Sequence, residues 1–208
     1  MSTLLQLNTS MFSAGGQSSR LTEQFVAGWR SRNPGAQLIL RDLAREPVPH
    51  LDAERFQAFL AKTEERTPRQ QAVVRYSDEL IEELKRADTI VIGLPMYNFG
   101  VPSTLKAYFD HIARAGATFR YSEKGPEGLL IGKKAYVFAT RGGKYAGTPD
   151  DMETGFVRQF LGFVGIEDVE FVYAEGLAIS EASKQAGLAL AQDAIEQLVA
   201  PESLALAA

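Results

Sequence analysis

The chain has 208 residues and a net charge of −4 from 26 acidic and 22 basic side chains. That length suits one sizeable core, and 45% hydrophobic with 23% charged residues is an ordinary globular balance. Without cysteine there are no disulfides, thiol nucleophiles or Cys-based metal sites, and no basic block points to nucleic acid or an anionic membrane as partner.

Residues 3–7 form an apolar run that predicts a first strand. The segment that follows, residues 8–19, is rich in Ser, Thr and Gly and opens a helix whose apolar stripe is Leu21, Phe25, Val26 and Trp29. Residues 36–41 predict a second strand. The long segment at 43–66 then carries a short helix around 52–61. Thr67-Pro68 is a good helix start, a capping hydroxyl followed by proline at the first helical position. Its stripe is Val73, Tyr76, Leu80, Ile81, Leu84 and Ala87. Residues 89–94 predict a third strand, followed by an aromatic loop and a helix with Leu105, Tyr108, Phe109 and Ile112 on one face. Residues 117–134 read as a long loop with turn signals at Lys124-Gly125-Pro126 and Glu127-Gly128. Strands at 135–140 and 169–174 alternate with helices striped by Phe156, Phe160, Leu161 and Val164, and by Leu188, Ala191, Ile195 and Leu198. The Ala-rich end at 204–208 is expected to fray.

Five apolar strands alternating with helices predict a doubly wound α/β fold. The continuity of the runs predicts parallel strands covered on both faces. The order 2-1-3-4-5 of a flavodoxin-like sheet fits, with helices on both faces and the whole of 1–208 as a single domain. No apolar run approaches the ~20 residues of a membrane span. The start of the chain has no basic leader, so a cytoplasmic location is expected. His50 and His111 lack the spacing of metal ligands. His111 lies beside an apolar helix face and reads as structural, and His50 as a loop residue.

Ligands of such sheets bind beyond the carboxyl ends of the strands, at the point where the order reverses. Three loops reach that edge. In the first, Ser10, Gln17 and Ser18 can surround a phosphate at a helix N-terminus. The loop is neither G-x-G-x-x-G nor G-x-x-x-x-G-K-[ST], which disfavours nucleoside triphosphate hydrolysis. The same serines also suit a helix cap with no ligand. In the second, Pro95-Met96-Tyr97-Asn98-Phe99 can meet a flat ring with a polar edge or simply cover the sheet end. In the third, the glycines of Thr140-Arg141-Gly142-Gly143 allow close backbone approach or make a plain turn. No G-x-S-x-G is present, which disfavours serine hydrolysis.

Together these motifs resemble the FMN-dependent NADH azoreductases, also described as NADH:quinone oxidoreductases. The resemblance extends over nearly the whole chain through Thr67-Pro68-Arg69-Gln70-Gln71, Ala113-Arg114-Ala115-Gly116, Thr118-Phe119-Arg120-Tyr121, Gly125-Pro126-Glu127-Gly128-Leu129 and Leu161-Gly162-Phe163-Val164-Gly165-Ile166. It implies an FMN site built from Ser10, Gly16, Gln17, Ser18, Pro95, Met96, Tyr97, Asn98, Phe99, Thr140, Arg141, Gly142 and Gly143. It also implies a homodimer with active sites at its interface, where Phe119, Tyr121 and Phe163 line the substrate pocket. The implied reaction is ping-pong, two-electron hydride transfer from NADH or NADPH to quinones and azo compounds. The flavin does that chemistry, so no catalytic side chain is expected. Two positions depart from the family pattern: Gly16 and Thr140 stand where serine is common. Other readings of the fold are a single-electron carrier and a non-catalytic nucleotide-binding protein.

Overall fold

A computed structural model describes residues 2–200; the segment at 204–208 lies outside the described residues. In chain order the elements are β1 (Thr3–Asn8), α1 (Gln17–Arg32), β2 (Gln37–Asp42), α2 (Ala53–Leu60), α3 (Pro68–Arg86), β3 (Thr89–Pro95) and α4 (Ser103–Ile112). They continue with β4 (Phe119–Ser122), β5 (Gly125–Gly128), β6 (Lys134–Thr140), α5 (Met152–Phe163), β7 (Asp168–Ala174) and α6 (Glu181–Leu198). Five strands make one parallel sheet in the order β2-β1-β3-β6-β7. Numbered among themselves, they follow the predicted 2-1-3-4-5. Each predicted run coincides with one of these strands to within a residue at either end.

Neighbouring strand residues point to opposite sides of a sheet, and the buried side chains sort accordingly. Leu5, Leu7, Ile90, Ile92 and Val137 pack with Leu80 and Leu84 of α3, Phe109 of α4 and Val157 of α5. Leu4, Val91, Phe138 and Val172 pack with Leu21 and Phe25 of α1 and with Ala191 and Ile195 of α6. Each such burial contributes about 1.5–3 kcal/mol. The sheet and its two core layers are therefore a stiff base for the loops at its edge.

The edge strand β2 departs from the expectation of burial on both faces. Leu38 and Leu40 are exposed, and of its apolar residues only Ile39 packs on the core. With a neighbour on one side alone, β2 lies at the margin of the helical cover. The segment at 117–134 also differs from a plain loop, because β4 and β5 pair as an antiparallel hairpin. Gly125-Pro126-Glu127-Gly128 has little strand propensity. Its pairing is set by context: Arg120 forks onto Glu127 at 2.8 Å and 3.0 Å, and Leu130 N–H donates to the Val164 carbonyl at 2.8 Å. Among the described residues no helix is long and apolar enough to cross a membrane.

Helix starts follow the sequence closely. Asp52 caps α2 by accepting from Arg55 N–H at 2.8 Å. Thr67 and Gln70 form a reciprocal capping box on α3, with N–H donors at 3.2 Å and 3.0 Å and Pro68 at the first helical position. Val74 rather than Val73 is the buried valine of that helix. Thr67→Ala is expected to lower stability by about 1 kcal/mol, seen in thermal unfolding as a fall in Tm of roughly 2–4 °C. An unchanged Tm would show that the box contributes nothing.

Candidate active site

The sheet order reverses at β1, so the connections after β1 and β3 leave from adjacent strands and open a crevice at their carboxyl ends. The β1 connection is tied across that crevice: Thr9 Oγ1 donates to the Gly93 carbonyl of β3 at 2.6 Å. Beneath it, Gln6, Asn8 and Thr22 share a buried network with contacts of 3.1 Å and 3.2 Å. The first turn of α1 lies against β3, because a Cβ on Gly93 would sit 3.3 Å from the Ser18 backbone. Gly16 is the N-cap of α1 and offers no side-chain cap. A Cβ there would lie 2.2 Å from Ser10 Oγ, so glycine at 16 and the observed Ser10 rotamer go together.

The Ser18 and Ser19 hydroxyls are buried and have no hydrogen-bond partner among the described residues. Buried polar atoms are rarely left unpaired. Two orphaned hydroxyls at an uncapped helix N-terminus, with half-buried Gln17 beside them, are the donors that an anion would satisfy. Ser19 was not among the residues the sequence singled out. It follows Ser18 directly, and only its burial distinguishes it from a surface serine.

The β3 connection is a two-residue hairpin turn. Tyr97 and Gly100 exchange N–H to carbonyl bonds at 3.1 Å, with Asn98 and Phe99 at φ of 50° and 66°. For a bulky side chain this left-handed conformation costs about 1–2 kcal/mol, and such strain concentrates at functional positions. The turn leaves the Asn98 amide and the Phe99 ring exposed. Tyr97 OH instead faces the β1 connection, accepting from Met11 N–H at 3.2 Å and lying 3.3 Å from Ser10 Oγ. Pro95 is buried at the strand end, and Met96 N–H donates to the Thr140 carbonyl at 3.0 Å. That bond joins the second wall to the third.

The third wall corrects one part of the sequence reading. The Arg141 side chain is fully buried, and its guanidinium meets Asp151 at 2.7 Å, Thr154 at 3.0 Å and Glu175 at 3.3 Å. It also lies 5.1 Å from the centre of the Tyr173 ring. Its carbonyl accepts from Leu177 N–H and its N–H donates to the Ala174 carbonyl. Arg141 is thus an internal anchor, and the surface it supports is Gly142-Gly143. The carbonyls of those two glycines accept from Ala178 and Gly176, while among the described residues their N–H groups donate to nothing. Tyr145, which sequence reasoning missed, lies against Gly143 and meets Phe99 edge-on with ring centres 6.0 Å apart.

Glu153 is the outlier of this cluster. It is buried, lies 3.5 Å from Arg141 Nε, and neither of its oxygens has a hydrogen-bond partner among the described residues. Burial pushes its carboxyl up to about 8, with Arg141 opposing and Asp151 adding to the rise. At Asp151, burial also works upward, but bonds from Arg141 and Thr154 hold it below the usual range. Burial alone would lower Arg141; the surrounding carboxylates raise it instead. Three acids around one base are too many charges for a buried site, and a proton on Glu153 removes one.

Phe119, Tyr121 and Phe163 do come together, with ring centres 5.5 Å and 4.4 Å apart. Their cluster lies at the amino ends of the strands, since α4 and α5 both run back from the crevice before reaching it. Within one chain they cannot line the crevice. His111 is buried and structural: its Nδ1 lies 3.0 Å from the Ala107 carbonyl, and burial lowers its pKa. His50 lines a largely apolar cleft of about 510 Å³ with Gly100, Val101, Lys106, Met152 and Phe156, flanking the Phe99 turn.

Residues 2–199 match the model of a family described as having the flavodoxin-like fold. Over 200 residues the chain is 52% identical to a Cellvibrio japonicus protein named FMN-dependent NADH:quinone oxidoreductase, covering 96% of this chain and 100% of that one. The chain belongs to this family. An azoreductase structure from Bacillus anthracis superposes with a TM-score of 0.88 at 25% identity, over 96% of this chain and 99% of that one. A second, an FMN-dependent NADH-azoreductase from Bacillus anthracis in complex with FMN, gives 0.85 at 27% identity over 96% and 100%. The residues present fit the flavin mononucleotide these names imply. The orphaned Ser18 and Ser19 hydroxyls and the uncapped α1 suit its phosphate, and the exposed Asn98-Phe99 turn with the Gly142 and Gly143 N–H groups suits a ring with polar edges.

Glu153 makes stability depend on pH in a definite direction. Its carboxyl is raised above the unfolded value of 4.5, so the folded state holds a proton that the unfolded state loses as pH rises. The contribution is fully present below about 4.5 and is lost as pH climbs through about 8. Glu153→Gln is expected to remove that part of the slope and to raise Tm at pH 8 by roughly 2–4 °C per kcal/mol relieved. Parallel slopes for the variant and the parent between pH 5 and 8 would contradict a protonated Glu153.

Proposed function

We propose that the chain is an FMN-dependent NADH:quinone oxidoreductase of a single flavodoxin-like domain, which also cleaves azo compounds reductively. The observation that carries this reading is the pair of orphaned serine hydroxyls at the uncapped start of α1, beside a strained aromatic turn. A scaffold of the same fold that holds no flavin needs neither, and reduction by NADH separates the enzyme from a carrier that holds FMN. Family membership supports the reading, since relatives over the whole length carry that activity in their names.

In this reading Ser18, Ser19 and the first N–H groups of α1 hold the phosphate. Gly142, Gly143 and Asn98 hold the ring edges, and Phe99 and Tyr145 bound the ring laterally. When bound, FMN supplies the hydride chemistry, accepting from NADH and returning to the acceptor. The protein orients both reactants and keeps water out. NADH and the acceptor enter one opening in turn, each leaving before the next arrives, which gives ping-pong kinetics. Azo cleavage to two amines takes two such rounds.

The opening is completed by a second copy of the chain. The Phe119–Tyr121–Phe163 cluster is remote from the crevice of its own chain, and Tyr121 is exposed. Such a cluster fits a role over the partner's crevice, in a homodimer with two sites at the interface. The exposed Met11, Phe12, Phe99 and Met152 around the crevice provide apolar surface for the same contact.

Anaerobic NADH is expected to bleach the visible absorption of the FMN-loaded protein, and a benzoquinone to restore it. Initial rates at several fixed quinone concentrations are expected to give parallel double-reciprocal lines. Absorption that does not respond to NADH would contradict the enzyme reading; intersecting lines would contradict the alternation alone.

A further inference from the structure

The loop at 143–151 is glycine-rich and largely exposed, yet Tyr145 within it is fixed. The cause is Glu175, the residue immediately after β7. Its Oε1 accepts from Tyr145 N–H at 2.7 Å, from Ala146 N–H at 2.9 Å and from Arg141 Nη1 at 3.3 Å. Three donors converge on one carboxylate oxygen, and hydrogen bonds to a charged acceptor are the strong ones. The Tyr145 carbonyl is held as well, by Thr148 N–H at 2.9 Å and Thr148 Oγ1 at 2.8 Å. Arg141 carries the restraint onward to Asp151, which caps α5 by accepting from Thr154 N–H at 3.1 Å. The loop is thus tied at its start, middle and end to one buried guanidinium.

What this frame holds in place is a ring. Tyr145 lies over Gly143 and touches Phe99 of the neighbouring wall edge-on. Neither Glu175 nor Arg141 turns a side chain toward the crevice. We propose that Glu175 is a positioning residue for the flavin site: it fixes the Tyr145 backbone so that the Tyr145 ring stands preformed for the ring system of FMN. This rests on the FMN reading above. A preformed wall spares the ordering of a flexible loop when ligand binds, so the effect is on cofactor affinity more than on turnover of the loaded protein.

The test uses the apoprotein, titrated with FMN and followed by quenching of flavin fluorescence, together with amide hydrogen exchange at Tyr145 and Ala146. Glu175→Ala is expected to raise the FMN Kd about tenfold and to speed exchange at both amides. Glu175→Gln retains an oxygen acceptor for them and is expected to restore most of both effects. In a Tyr145→Ala background, Glu175→Ala is expected to change Kd less than about twofold, because the two act as a unit. An equal loss in both backgrounds, or faster exchange with unchanged Kd, would overturn the positioning role while leaving the FMN reading intact. Failure of the parent protein to take up FMN would sink the FMN reading and this proposal together.

Discussion

The first turn of α1 presses against β3 at Gly93, and the crevice depends on that contact. A side chain at 93 would meet the Ser18 backbone, so the absence of a Cβ sets how closely the helix approaches the sheet. The Gln6–Asn8–Thr22 network and the Thr9 bond to Gly93 fix the same approach from below. The helix therefore delivers its free N–H groups and two buried hydroxyls to the point where the strand order reverses. A helix dipole is worth most where its end is partly buried and water is excluded. Neutral donors already aligned in this way can take a phosphate without lysine or arginine, which is the role proposed for them above.

Arg141 plays the complementary part on the opposite wall. The family resemblance counts Arg141, beside two glycines at a strand end, among the residues of the FMN site. Its side chain is instead buried inside the protein. Desolvating a guanidinium is costly unless it is paired, and Asp151, Glu175 and Thr154 supply those partners. The charge is spent inside the protein, as a fastener for the loop that carries Tyr145. Glu153 has the least favourable place in that cluster, and its proton is the simplest way to keep the cluster near neutrality.

The sheet was legible in the sequence because parallel strands covered by helices are written as continuous apolar runs. The starts of α2 and α3 were legible because Asp52 and Thr67-Pro68 are local signals. The hairpin at 119–128 was not, since its pairing is imposed by neighbours rather than by Gly-Pro-Glu-Gly itself. In the site, loop composition pointed to Ser18, Asn98 and the paired glycines. The direction of the Arg141 side chain follows from Asp151, Thr154 and Glu175, and the place of Tyr145 from Glu175 thirty residues further on; no local pattern encodes those contacts. The remoteness of Phe119, Tyr121 and Phe163 from their own crevice likewise follows from the helices running back along the sheet, a matter of topology and not of residue type.

A phosphate site at the start of α1 is tested most directly by comparing two ligands. Titration calorimetry of the apoprotein with FMN and with riboflavin isolates the phosphate, because the ring system is common to both. FMN is expected to bind at least about tenfold more tightly, and Ser18→Ala to weaken FMN by about tenfold with riboflavin unchanged. Equal affinities for the two ligands, or an equal loss for both in the Ser18 variant, would contradict the account.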